Sequence, residues 1–315
     1  MLATTQPVAT PECVSVRPRL ESVDLLRGLI MVVMALDHVR GWFTNVTFYP
    51  LDLDKTNVAL FLTRWVTHFC APGFIFLAGT GAFLSTLRGK SRRELSWFLF
   101  TRGLWIVFLE LIVVRCFGWQ FNFDFHFLIC SVLWAIGWSM VVLAGLVWLP
   151  VRGVAMFAVV MIVAHNLFDN VKPESWGQFR WLWVILHSPG ELHPAENVRV
   201  AVPYVLVPWM GVMALGYAVG SLWQRPIAER RKWLLGLGCG MTFAFFVLRL
   251  ANGYGDPTPW AKHLETIFGA AMKQSWSEQT EAVFAFLSLG HCQKYPPSLH
   301  FILMTLGPLL IALAW

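Results

Sequence analysis

Runs of about 20 mostly apolar residues, each long enough to cross a bilayer as a helix, recur along this chain from residue 25 to its last residue. In hydrocarbon every backbone polar group needs a partner within the protein, which leaves helices and closed barrels as the spanning structures. The runs here are continuous and do not alternate, so they select helices over barrel strands. Spans are expected near 25–45, 58–86, 96–118, 126–149, 152–170, 200–223, 232–252 and 297–315, about eight in all. The second is long, and a tilt or a break at Pro72 and Gly73 is expected. The fold class predicted is all-α, a polytopic transmembrane helix bundle: 1–23 is a cytoplasmic N-terminal segment and 24–315 a single transmembrane domain.

Composition agrees. Hydrophobic residues make up 57% and charged ones 13%, against roughly 25% charged in soluble domains. The 17 Trp suit the membrane–water interface, where the ring is apolar and the N–H stays wet. The formal charge of +6 is not gathered into a basic stripe interleaved with aromatics, so nucleic-acid binding is not expected. The six Cys form no CxxC pair and support neither a disulfide framework nor a zinc site. The polar first 23 residues lack a signal-peptide core, so the first apolar run stays in the mature protein.

Charge fixes an expected orientation. With the N-terminus inside, short inside segments hold Arg17, Arg19, Arg88, Lys90, Arg92, Arg93, Arg152, Arg225, Arg230, Arg231 and Lys232. The outside loops near 171–199 and 253–296 are longer and mix both signs. The positive-inside rule therefore predicts a multi-pass protein of the cell's inner membrane with a cytoplasmic N-terminus. Within 253–296, residues 261–289 have the pattern of one or two amphipathic helices lying on the membrane. The last run reaches Trp315 with no flanking charge, which predicts C-terminal truncation.

Ionisable residues inside a membrane are functional candidates by default. Counting about 1.5 Å per residue, they fall at one depth, in the outer half. Asp37 and His38 lie late in the first span and His68 early in the second. Glu110 and Arg115 sit late in the third, His165 and Asn166 close the fifth, Arg249 lies late in the seventh just before Asp256, and Tyr295 precedes the eighth. A polar cavity open to the outside accounts for that agreement; hydrogen bonds between neighbouring helices are the plainer reading, most of all for His165. Asp37 and His38 project about 100° apart, so the carboxylate faces another partner, with Arg64, His68 and Arg249 as candidates. Asp37, His38 and His68 suit general acid–base work, since His titrates near neutral pH and a carboxylate fixes its tautomer. Their cross-helix spacing carries no metal-ligand signature. Arg102 is the exception in depth, on the inner half.

Several stretches carry a family resemblance: RLESVDLLRG from Arg19 to Gly28, MALDHVR from Met34 to Arg40, THFCAPGFIFLAG from Thr67 to Gly79, and WAIGW from Trp134 to Trp138. To these add His165-Asn166, PWMGVMALGY from Pro208 to Tyr217, YGDP from Tyr254 to Pro257 and KYPPS from Lys294 to Ser298. Together they resemble the transmembrane acyltransferase superfamily, in particular bacterial membrane proteins related to heparan-α-glucosaminide N-acetyltransferase. The resemblance implies transfer of an acyl group, with acetyl expected, from cytoplasmic acyl-CoA to an extracytoplasmic glycan or envelope acceptor. It implies acyl-CoA as co-substrate with no tightly bound cofactor, the bilayer as partner, and Arg27 and Arg102 near the CoA phosphates; a homo-oligomer stays open. His38 and Arg27 stand at that superfamily's first-helix His and Arg. The animal acetyltransferase uses a His in the loop before its second helix, and 46–57 contains none. The competing class is a proton-coupled transporter using intramembrane Asp and His; it predicts internal pseudo-symmetry, of which the hydropathy shows none.

Overall fold

A computed structural model describes residues 21–53, 55–118, 121–257, 283 and 286–315. The region expected to form surface helices, 261–289, lies largely outside the described residues, as do Arg17 and Arg19.

The protein is mostly helical. Helix α1 is Glu21–Phe43. Helix α2, Val58–Val66, starts on an Asn57 side chain that accepts the Leu60 amide at 2.9 Å, and a 3₁₀ turn at Thr67–Phe69 joins it to α3, Cys70–Leu87. The expected break therefore lies just ahead of Pro72. Pro72 has no N–H for the carbonyl of His68, so the chain tightens there and runs on as a regular helix. Helix α4, Arg92–Phe108, opens with a capping box between Ser91 and Glu94 and passes into a wider π-helical stretch, Leu109–Gly118. Next come α5 (Val132–Leu146), α6 (Val151–Ala164) and α7 (Arg180–Leu186). Helices α8 (Leu206–Gly220), α9 (Ile227–Ala251) and α10 (Leu299–Leu313) follow among the described residues.

The all-α expectation missed a small sheet. Strands β1 (Phe127–Ile129), β2 (Gly190–Ala195) and β3 (Val198–Val202) form it in the order β1-β3-β2, with β1 parallel and β2 antiparallel to β3. The spans expected from 126 and 200 consequently begin at Val132 and Leu206. Val198-Arg-Val-Ala-Val202 has the β-branched alternation of a strand, but it adjoins an apolar run and reads as part of it.

Among the described residues, five segments are long and apolar enough to cross a membrane: Val58–Leu87, Arg92–Gly118, Val151–Phe168, Leu206–Gln224 and Ile227–Ala251. Helices α5 and α10 are apolar but shorter. On α1 only Val23, Leu26 and Ile30 are buried, at helical spacing, while Leu25, Leu29, Val32, Leu36 and Val39 face outward. So much outward apolar surface fits contact with lipid.

Close backbone approach ties the bundle together. A Cβ on Gly79 of α3 would lie 2.0 Å from the Met213 carbonyl oxygen of α8, and one on Gly216 of α8 would lie 2.0 Å from that of Phe76. Thr80 donates to the Gly216 carbonyl at 3.1 Å. The two helices run parallel. Gly103 and Gly137 make the equivalent contact between antiparallel α4 and α5. In lipid, where apolar surface gains little by leaving hydrocarbon for protein, such small-residue contacts supply the packing. One end of the bundle carries the sheet; the other carries Arg88, Lys90, Arg92, Arg93, Arg152, Arg225, Arg230, Arg231 and Lys232.

Candidate active site

At the sheet end, α1 and α2 bring Asp37 and Arg64 together. Asp37 and Arg40 are three residues apart on one face of α1, and their side chains pair at 2.5 Å. From α2, Arg64 reaches the same carboxylate at 3.3 Å, and the Thr67 hydroxyl lies 3.1 Å from it. Thr67 also accepts from Arg64 at 2.9 Å. Of the three partners expected for Asp37, Arg64 is the one found; Arg40 was not foreseen, although its i+3 spacing was legible. Arg64 is buried and lies 5.9 Å from the centre of the Tyr49 ring. Two guanidinium groups on one carboxylate leave a surplus of positive charge. Asp37, Arg40, Arg64 and Tyr49 wall an open cleft of about 450 Å³, with His38 and Trp42 also lining it. His68 does not line it. It is fully buried behind Thr67, 5.2 Å from the Phe301 ring centre, and neither ring nitrogen has a hydrogen-bond partner among the described residues.

The strap of residues 288–298 that leads into α10 closes over this end, and most of the other singled-out residues hold it. Arg249 is fully buried and donates to the carbonyls of Ser288, Leu289 and His291, at 3.2, 3.1 and 2.7 Å. It also pairs with Asp256 at 3.8 Å. Asp256 in turn accepts the Gln293 amide at 3.0 Å and the Ser298 hydroxyl at 2.9 Å. His165 bridges the carbonyls of Ile162 and Pro297, each at 2.9 Å. Asn166 accepts from the Leu299 amide at 2.9 Å and donates to Asp169 at 2.8 Å. The strap thereby sets Lys294 and Tyr295 close to Arg64. Burial, aided by Arg64 and opposed by Asp37, pushes the Lys294 amine down to about 7. Burial raises the phenols of Tyr295 and of Tyr204, whose hydroxyls lie 3.5 Å apart.

Glu110 and Arg115 form a third group. Glu110 accepts the Ser131 amide at 3.3 Å. Arg115 donates to the carbonyls of Asn122 and Phe127 and lies 4.3 Å from the Phe125 ring centre, anchoring the turn into β1. The polar residues expected to share one cavity thus divide into three groups, of which the Asp37 group lines the open cleft. At the other end Arg27 pairs with Asp24 at 3.5 Å. Arg102 lies over Phe98 and lines a shallow dip with Trp97 and Trp105 that Arg27 does not join.

The fold and this cleft define a multi-pass α-helical membrane protein with a charged pocket at one end of its bundle. A family model described as heparan-alpha-glucosaminide N-acetyltransferase, catalytic, matches residues 19–246, and the chain belongs to that family. Membership suggests an acetyltransferase-type function in the membrane. The matched stretch includes Asp37, His38, Arg64 and His68 and ends within α9, ahead of Arg249 and the strap. No curated protein and no solved structure matches the chain.

Proposed function

We propose that the protein is an integral membrane acyltransferase that moves an acyl group, acetyl first, from cytoplasmic acyl-CoA to an extracytoplasmic glycan or envelope acceptor. The observation that carries this reading is the Asp37–Arg40–Arg64 cleft with His38 in its wall, within the stretch matched to an acetyltransferase catalytic family. Eight crossings follow if α1, α5 and α10 also span, with α2 and α3 as one broken rod. The arginines and lysines at the bundle end opposite the sheet support a cytoplasmic N-terminus, which leaves the cleft at the outer face.

In the cleft, the acceptor's hydroxyl or amine attacks the acyl carbonyl. His38 takes the acceptor proton as the new bond forms. The C–S bond then breaks, and the thiol of CoA leaves with a proton returned through His38. The surplus positive charge of Arg40 and Arg64 faces the oxyanion that develops on the carbonyl oxygen, and Asp37 holds both guanidinium groups in place. His68, buried behind Thr67, packs the site from the rear. Arg27 and Arg102 remain candidates for CoA phosphates, each on its own surface.

The test is thioester hydrolysis by the purified, detergent-solubilised protein supplied with acetyl-CoA and no acceptor. Water then stands in for the acceptor, and His38→Ala is expected to lower the rate by about 10²–10⁴, the usual contribution of a general base. A correctly inserted His38→Ala protein that hydrolyses acetyl-CoA at the wild-type rate would sink the assignment of His38.

A further inference from the structure

A groove of about 860 Å³ runs between α4 and α5 at the basic end of the bundle, opposite the sheet. Its floor is the seam between the two helices. Deeper in the bundle they touch backbone to backbone at Gly103 and Gly137. About two turns nearer the basic end, the Ser96 hydroxyl donates to the Ala144 carbonyl at 2.7 Å and accepts the Trp148 indole N–H at 3.3 Å. Exposed aromatic rings rise on both sides: Trp97 and Phe100, stacked 6.1 Å apart, on α4, and Trp148 on α5. Between them Gly145 keeps the α5 wall low, since a Cβ there would meet no atom within 4 Å.

Charge gathers where this trough meets the end of the bundle. Arg93 lines it one turn before Trp97. Among the described residues, neither the Arg93 guanidinium nor the Trp97 indole N–H has a hydrogen-bond partner. Arg88, Lys90, Arg92 and Arg102 belong to the same region, with Lys90 and Arg102 both over the Phe98 ring. Glu94 also lines the groove, and its carboxylate accepts the Ser91 amide and hydroxyl, each at 2.8 Å. Cationic charge therefore outweighs anionic around the mouth.

A soluble anion would meet the charge and leave the apolar trough bare. An apolar protein segment would fill the trough and leave Arg93 without a counter-charge. A lipid with an anionic headgroup satisfies both, and the two indoles suit the depth at which headgroup passes into hydrocarbon. We propose that the α4–α5 groove binds one anionic phospholipid of the adjoining leaflet. Its phosphate sits on Arg93 and the Trp97 N–H, and an acyl chain runs along the trough past Phe100 and Val141. The site is independent of the acyl-transfer reading.

The probe is dioleoyl phosphatidylglycerol, added to the purified protein in detergent and counted as bound adducts by native mass spectrometry. Dioleoyl phosphatidylcholine, with the same chains and no net charge, is the comparison. The wild type should hold one phosphatidylglycerol about fivefold or more tighter than phosphatidylcholine, the effect of one basic residue near a membrane surface. Arg93→Gln should remove about fivefold of that preference. Gly145→Leu, whose Cβ meets no protein atom, should fill the trough and weaken both lipids about tenfold or more. Saturating phosphatidylglycerol should raise the melting temperature of the wild type but not of Gly145→Leu, a melt that also shows the variant to be folded. Equal retention of the two lipids by the wild type, or phosphatidylglycerol retention unchanged in both variants, would overturn the site. Displacement of the bound lipid by free glycerol 3-phosphate would overturn it too, and would reassign Arg93 to a soluble anion.

Discussion

Lys294 gives the strap a measurable pH signature. Its amine is buried, 5.3 Å from the Tyr295 ring centre, and is pushed from an ordinary 10.5 down to about 7 by burial and then by Arg64. Between those two values the unfolded chain holds a proton that the folded protein has shed. Stability therefore rises with pH across the window, by about 1.4 kcal/mol per pH unit. The full window, from about 7 to 10.5, is worth about 5 kcal/mol. Below pH 7 the whole cost of burying the ammonium is present. Lys294→Met keeps the stem and removes the titration, so its stability lacks this slope. The difference between variant and wild type should be largest near pH 6 and should shrink by about 3 kcal/mol by pH 9.5. Thermal and denaturant unfolding of both proteins in one detergent, stepped through that range, measures it. Groups that titrate alike in both proteins cancel in the difference. Parallel curves would refute the reasoning, and so would a gap that widens as pH rises. Arg64→Met should move the onset of the wild-type slope to higher pH, because Arg64 is the second cause of the shift.

Gly216→Ala should destabilise by about 1–3 kcal/mol, since its Cβ would meet the Phe76 carbonyl at 2.0 Å, whereas Gly236→Ala, with no atom within 4 Å, should be neutral or mildly stabilising; melting temperatures of the pair test the α3–α8 contact. Ser91→Ala should cost about 1 kcal/mol through loss of the α4 capping box, read from the same melts. Asp37→Asn should lower thioester hydrolysis by about tenfold or more, because the amide cannot hold both Arg40 and Arg64 by charge; a wild-type rate would detach Asp37 from the chemistry.

The helical class and the grouping of ionisable residues at one end were legible because hydropathy and the 1.5 Å rise are local properties of the chain. The partition of those residues was not. Arg249, Asp256, His165 and Asn166 read as cavity candidates because a polar side chain at membrane depth needs a partner, and the sequence does not show that the partners lie in the strap and at the start of α10. The pairing of His187 with Asp169 was not legible for the converse reason. His187 lies in the loop expected near 171–199 and Asp169 at the end of the fifth expected span, and only the fold of the segment between them sets them face to face. Arg40 was within reach, one turn from Asp37, since i+3 spacing fixes proximity on a helix whatever the tertiary structure.

Helix α1 is held in two different ways along its length. Val23, Leu26 and Ile30 pack its first half into the bundle, Val33 and Met34 rest partly buried against the core, and beyond them Asp37 reaches Arg64 and Thr67. That pairing is at once a wall of the cleft and a latch on a helix. An anion that draws Arg64 away from Asp37 works against the latch, so occupancy of the cleft and the seating of α1 are thermodynamically linked, each weakening the other by the same factor. The cleft's own ligand is thus a lever on the helix that carries His38.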